Sequence, residues 1–140
     1  MKFFTILFIV LSISFLSKGY CQNLVPNGDF EIYSHCPGNS YQLKWAIPWD
    51  SVQWQMPADY YNECGTGGFS VPGDLGGYQY AHSGRGYAGI YTYADLGPNF
   101  RKYMEVKLTD TLQAGKKYCV EFYVSLADSF RYATNEIGAY

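Results

Sequence analysis

Asn23-Leu24-Val25-Pro26-Asn27-Gly28-Asp29-Phe30-Glu31 is the stretch whose reading decides the fold. Leu24 and Val25 read as a short strand. Pro26-Asn27-Gly28 reads as a tight turn, because Pro presets φ and Asn-Gly tolerates positive φ. Phe30 and Ile32 then alternate with Asp29 and Glu31, the period-2 pattern of a half-buried strand. A chain that opens strand, turn, strand belongs to the β class unless helical periodicity follows. Helical periodicity is nearly absent outside the first 21 residues.

Those first residues read as an export signal. Lys2 gives a positive start, and Phe3 to Leu16 form an apolar run broken only by Thr5, Ser12 and Ser14. Gly19 and Cys21 are small residues at the spacing signal peptidase needs, so cleavage leaves Gln22 first. Lipidation of Cys21 is the rival reading, disfavoured by the bulky Tyr20 before it. The apolar run is too short for a membrane span, so no span remains after cleavage. Lys2 and Lys18 leave with the signal, and eight basic residues then face twelve acidic ones, a net charge of about −4. A weakly acidic domain with scattered charge is a poor nucleic-acid binder. Residues 22–140 have the length of one domain able to bury a core.

Fifteen Gly and six Pro punctuate the full sequence, all but Gly19 in the mature chain, which places short strands between turns. The expected strands are residues 30–32, 42–45, 51–54, 78–82, 87–93, 101–107, 118–126 and 136–140. Residues 56–63 read as a short helical turn and 65–77 as a glycine-rich loop. In 118–126, Tyr118, Val120, Phe122, Val124 and Leu126 share one face, while Cys119, Glu121, Tyr123 and Ser125 share the other. In 101–108, Met104, Val106 and Leu108 point inward and Tyr103, Glu105 and Lys107 outward. Two such strands need a second sheet to cover them, so a β-sandwich is expected. The chain stops at Gly138-Ala139-Tyr140, within or just after a strand, so the sandwich is expected to be incomplete at its C-terminus.

The opening run resembles that of the jelly-roll carbohydrate-binding modules of families four, nine, sixteen and twenty-two, which begin with Asn-Gly-Asp/Gly-Phe-Glu. The resemblance implies a galactose-binding-like jelly roll that binds polysaccharide. It also implies a structural calcium held by the acidic residue after Phe, here Glu31, with Asp29 nearby. Hard oxygen ligands suit that ion. The late Asp that completes the site in those modules is missing here. A broader resemblance runs through Asn23–Glu31, Trp49, Met56-Pro57-Ala58-Asp59-Tyr60-Tyr61-Asn62-Glu63-Cys64, Val71-Pro72, His82-Ser83-Gly84-Arg85-Gly86-Tyr87-Ala88-Gly89-Ile90 and Tyr118–Ala127. It is similar to the N-terminal module of exported Bacteroidota-type proteins. Those proteins carry a gliding-motility-associated, type IX secretion sorting or OmpA-like domain further along. The resemblance implies a secreted or outer-envelope location and a further C-terminal domain that is missing from this chain.

Three cysteines remain after cleavage. Cys36 and Cys64 both sit in Gly/Pro-rich loops and are the expected disulfide pair in an oxidising compartment, while Cys119 lies in a strand. No Cys-x-x-Cys or His-x-x-x-His spacing exists, so zinc is not expected. Aromatic residues make up 19% of the chain and Tyr alone contributes 15. Flat rings stack on the C–H faces of sugars, and Tyr hydroxyls and amide side chains take the sugar hydroxyls. Tyr103 and Tyr123, which strand parity turns outward, lead the candidate platform, with Tyr91 and Trp54. The bland alternative is that Trp45 and Trp49 are core and the tyrosines are ordinary strand formers.

Catalysis is not expected. Gly73-Asp74-Leu75 lacks the Ser of an esterase start, and no Gly-x-Ser-x-Gly exists. Ser83 beside His82 would point to the opposite face of a strand. The two glycine-rich loops lack the Lys-Ser/Thr of a phosphate cradle. Nothing singles out a pair among the twelve acids for glycoside hydrolysis. The reading is an exported, non-catalytic module that recognises polysaccharide or a surface glycan, or mediates adhesion. The alternative is a structural spacer of an envelope protein with no small ligand of its own.

Overall fold

The computed structural model describes residues 22–52, 56–93, 100–135 and 137–140. The signal segment and Cys21 therefore lie outside the described residues, as do Trp54 and Glu136.

The Asn27 side chain organises the start of the chain. Its Nδ2 donates to Ile32 O at 2.9 Å and to Ile47 O at 2.7 Å, and its Oδ1 accepts the Ile32 N–H at 2.9 Å. Asn27 takes φ +48° and Phe30 takes φ +60°, so the turn expected at Pro26-Asn27-Gly28 is wound tighter than a hairpin. Neither Leu24-Val25 nor residues 30–32 enters a ladder; a single bridge joins Tyr33 to Ala46. The Phe30 ring stacks on Trp49 with centroids 5.0 Å apart, and Trp49 Nε1 donates to Asn27 O at 2.7 Å.

The regular elements are few, and the architecture is all-β with small antiparallel sheets. A 3-10 turn spans Leu43–Trp45, where a strand was expected. The first strand, β1, is Asp59–Asn62, where a helical turn was expected. β1 pairs antiparallel with β4, Gly86–Gly89, in the register Asp59 to Gly89 through Asn62 to Gly86. β2, Gly73–Asp74, and β3, Gly77–Tyr78, make a minimal hairpin at the end of what reads as a loop, and of the strand expected over 78–82 only Tyr78 pairs. The core gathers around β1: Tyr60, Leu43, Ala46 and Ala58 are fully buried, and Phe69 and Val71 nearly so. Rings of Phe69, Tyr61 and Tyr87 stack in a column, at 5.6 and 5.1 Å between centroids.

Cys36 and Cys64 are joined by a disulfide, Cα to Cα 5.4 Å. Closing that loop stabilises the fold by roughly 3–4 kcal/mol in the chain-entropy treatment.

Residues 101–107 and 118–126 are not ladder strands. The first meets its neighbours at separate points: Lys102 N–H to Tyr91 O, the Asp50–Glu105 bridge, and Thr109 N–H to Leu24 O. Its exposure nevertheless alternates as its parity predicts, with Tyr103, Glu105 and Lys107 exposed and Met104, Val106 and Leu108 half-buried. The second exposes both of its faces. Val120 and Val124 are 63% and 66% exposed, because no described strand covers the side expected to be core. Residues 137–140 likewise form no strand.

Tyr60 ties the core to the opening turn. Its hydroxyl donates to Phe30 O and accepts from Asn62 Nδ2, both at 2.9 Å. Burial pushes its phenol up to about 12, and burial also raises Tyr61 and Tyr87. The folded state thus keeps protons that the unfolded chain releases near pH 10. Stability contributed by these groups is complete below pH 10 and is lost as pH rises through about 12. Urea midpoints should be flat up to about pH 9 and fall steadily above pH 10. An unchanged midpoint at about pH 11.5 would count against buried phenols.

Candidate functional site

Residues 78–82 form a strip of alternating exposure. Tyr78, Tyr80 and His82 are exposed and Gln79 and Ala81 are half-buried. Only Tyr78 belongs to a strand, but exposure keeps a two-residue alternation along the segment. Tyr78 and Tyr80 are 60% and 61% exposed. Their rings meet edge to face at 5.6 Å, and their hydroxyls lie 3.1 Å apart in a hydrogen bond. That bond raises the Tyr78 phenol.

Residues 121–129 run back along the same strip. Ser129 N–H donates to Gly76 O at 2.8 Å, and Tyr78 N–H to Asp128 Oδ2 at 3.0 Å. Ser125 Oγ donates to Gln79 Oε1 at 2.8 Å. Tyr123 then stacks on His82, with planes 13° apart. Its hydroxyl donates to Glu121 Oε1 at 2.8 Å, which raises the phenol. Tyr123 is 65% exposed. The result is two exposed ring pairs along one segment, Tyr78 with Tyr80 and His82 with Tyr123, with amide, hydroxyl and carboxylate groups beside them.

Glu31 fixes the far end of this strip. Its Oε1 accepts the N–H groups of Arg85 and Gly86 at 2.6 and 3.0 Å. Gly84 turns the loop at φ +68°, and a Cβ there would lie 2.5 Å from Glu31 Oε1. Glu31 Oε1 is therefore committed to backbone donors. Asp29 is exposed, and no group of three His, Cys, Asp or Glu side chains gathers as metal ligands among the described residues.

The remaining platform candidates are dispersed. Tyr91 packs edge-on to Phe130 at 6.1 Å, and its ring face is taken by Lys102 Nζ at 4.6 Å. Tyr103 is 44% exposed and is in no ring contact among the described residues. Trp54 lies outside the described residues. Of the four, only Tyr123 joins the strip. Tyr78, Tyr80 and His82 were missed, although the alternation Tyr-Gln-Tyr-Ala-His was visible in a segment already read as a strand. Applying parity there would have put three rings on one side.

Among the described residues no helix is long and apolar enough to cross a membrane. Comparison with protein-family models, curated proteins and solved structures finds no match to this chain.

Proposed function

We propose that this chain is an exported, non-catalytic binding module, built on a jelly-roll-like β-sandwich plan, that recognises polysaccharide or a surface glycan outside the cell. The observation that carries this reading is the exposed strip of Tyr78, Tyr80, His82 and Tyr123. Exposed rings held by neighbours rather than buried in core suit the apolar faces of sugars, and adjacent hydroxyl and carboxylate groups suit sugar hydroxyls. An open surface fits a polymer better than a small molecule. The Cys36–Cys64 disulfide agrees with an oxidising compartment, secreted or at the outer envelope.

The folded chain should give weak glycan-array signals that soluble oligosaccharide competes away. Tyr78→Ala and Tyr80→Ala should each weaken binding about two- to tenfold. The distant Tyr103→Ala should leave it unchanged. Absence of any glycan signal, or a signal indifferent to Tyr78 and Tyr80, would sink the platform. A structural spacer role is the second reading, favoured by the exposed apolar side chains Val120, Phe122, Val124 and Leu126. Such a face is unusual on an isolated monomer. Self-association without glycan binding would favour that role.

A further inference from the structure

Asp59 and Lys102 lie 43 residues apart in sequence and meet in the interior. Their side chains are 7% and 2% exposed, and Lys102 Nζ sits 2.5 Å from Asp59 Oδ2. The other carboxylate oxygen, Oδ1, accepts the Tyr41 N–H at 2.8 Å. The rings of Tyr41 and Tyr91 stand 4.7 and 4.6 Å from Nζ. Asp59 is anchored in β1, while Lys102 is anchored by its own N–H to Tyr91 O. An amine and a carboxyl group are thus held in contact, with the backbone fixed on both sides and water kept out. Positioning of this kind converts a slow bimolecular reaction into an intramolecular one.

We propose that Lys102 and Asp59 condense to a side-chain amide, an intramolecular isopeptide cross-link, in the folded protein. The ammonium passes one proton to Asp59 Oδ2 across their contact, leaving an amine and a carboxylic acid. The Nζ lone pair attacks Cγ and the C–N bond forms. Charge develops on Oδ1, where the Tyr41 N–H already points, as a donor does in an oxyanion hole. A second proton moves from Nζ to Oδ2, the Cγ–Oδ2 bond breaks, and Oδ2 leaves as water. One water is lost, and no oxidant, reductant or co-reactant is required. The two tyrosine rings then shield the amide from hydrolysis.

The position makes structural sense. Residues 101–109 are held to the rest of the chain by isolated backbone contacts rather than by a continuous ladder. A covalent tie to β1 fastens that segment where sheet pairing is sparse.

The test is mass spectrometry of the exported protein, unfolded and reduced. The expected intact mass is lighter than the sequence mass by one water. Trypsin should fail to cut after Lys102, and tandem spectra should show one branched peptide joining the Lys102 and Asp59 segments. Cyclisation of Gln22 removes ammonia instead of water, and the N-terminal peptide reports it separately. Lys102→Arg should restore the full mass and give only linear peptides. If that variant does not fold, the wild-type mass and peptide map still decide. A wild-type protein at full sequence mass, cut normally after Lys102 after days folded at neutral pH, would overturn the cross-link.

Discussion

Lys102→Met should cost the fold about 3–5 kcal/mol, a large fraction of the stability of a domain this size. Met follows the shape of the lysine stem and fills most of its space. It leaves the Asp59 carboxylate at 7% exposure with no counter-charge. It also removes the lysine nitrogen from between the Tyr41 and Tyr91 rings. The penalty for a buried unpaired charge exceeds what the extra apolar contact returns. Adding Asp59→Asn should recover part of the loss, because the amide keeps an acceptor for the Tyr41 N–H and removes the stranded charge. Urea unfolding of the two variants against freshly folded wild type, before any amide has closed between Lys102 and Asp59, measures both steps. A single variant within about 1 kcal/mol of wild type would show that the pair does not hold the segment.

That pair marks where sequence reading stops. Parity along 102–108 was legible: exposure alternates from Lys102 to Leu108 as a half-buried strand requires. The parity that turns Met104 and Val106 inward also turns Lys102 inward. Residue chemistry alone places a lysine in water, because burying it needs a partner. The partner lies 43 residues earlier and carries no local signal.

Residues 118–126 show the opposite failure. Their alternation is the cleanest in the chain, and their faces are nevertheless exposed. Periodicity reports which side chains share a face, whereas a ladder needs a second strand in register, which no single segment specifies. Residues 59–62 went wrong for a related reason. Asp59, Tyr60 and Asn62 are buried together, so the segment shows no apolar–polar alternation from which to read a strand. The disulfide was legible because Cys36 and Cys64 are the two loop cysteines, and the loops that carry them also meet through Thr66 N–H and Pro37 O at 2.9 Å.

Asn27→Ala should be nearly as damaging as loss of Lys102, at about 3 kcal/mol. The substitution deletes two donors and one acceptor. Ile32 O and Ile47 O lose their amide partner, and the Ile32 N–H loses its acceptor. Each such bond contributes about 1 kcal/mol net. Ala at φ +48° adds strain, because a Cβ without a polar group has no local compensation there. Asn27→Gly separates the two effects, since it relieves the backbone and still lacks the clamp. It should therefore be destabilised less than Asn27→Ala, but clearly more than the few tenths expected of a surface site. Trp49 gives an optical check, as its indole N–H donates to Asn27 O and its ring stacks on Phe30. In either variant its emission should shift as that stack loosens. The damage should extend to the aromatic strip, because Glu31, four residues on, pins the Arg85–Gly86 backbone at the strip's end. If Asn27→Ala instead melts like wild type with unchanged tryptophan emission, the Asn27 clamp is dispensable. The opening run would then owe its place in the sequence to something other than tying the 22–52 segment together.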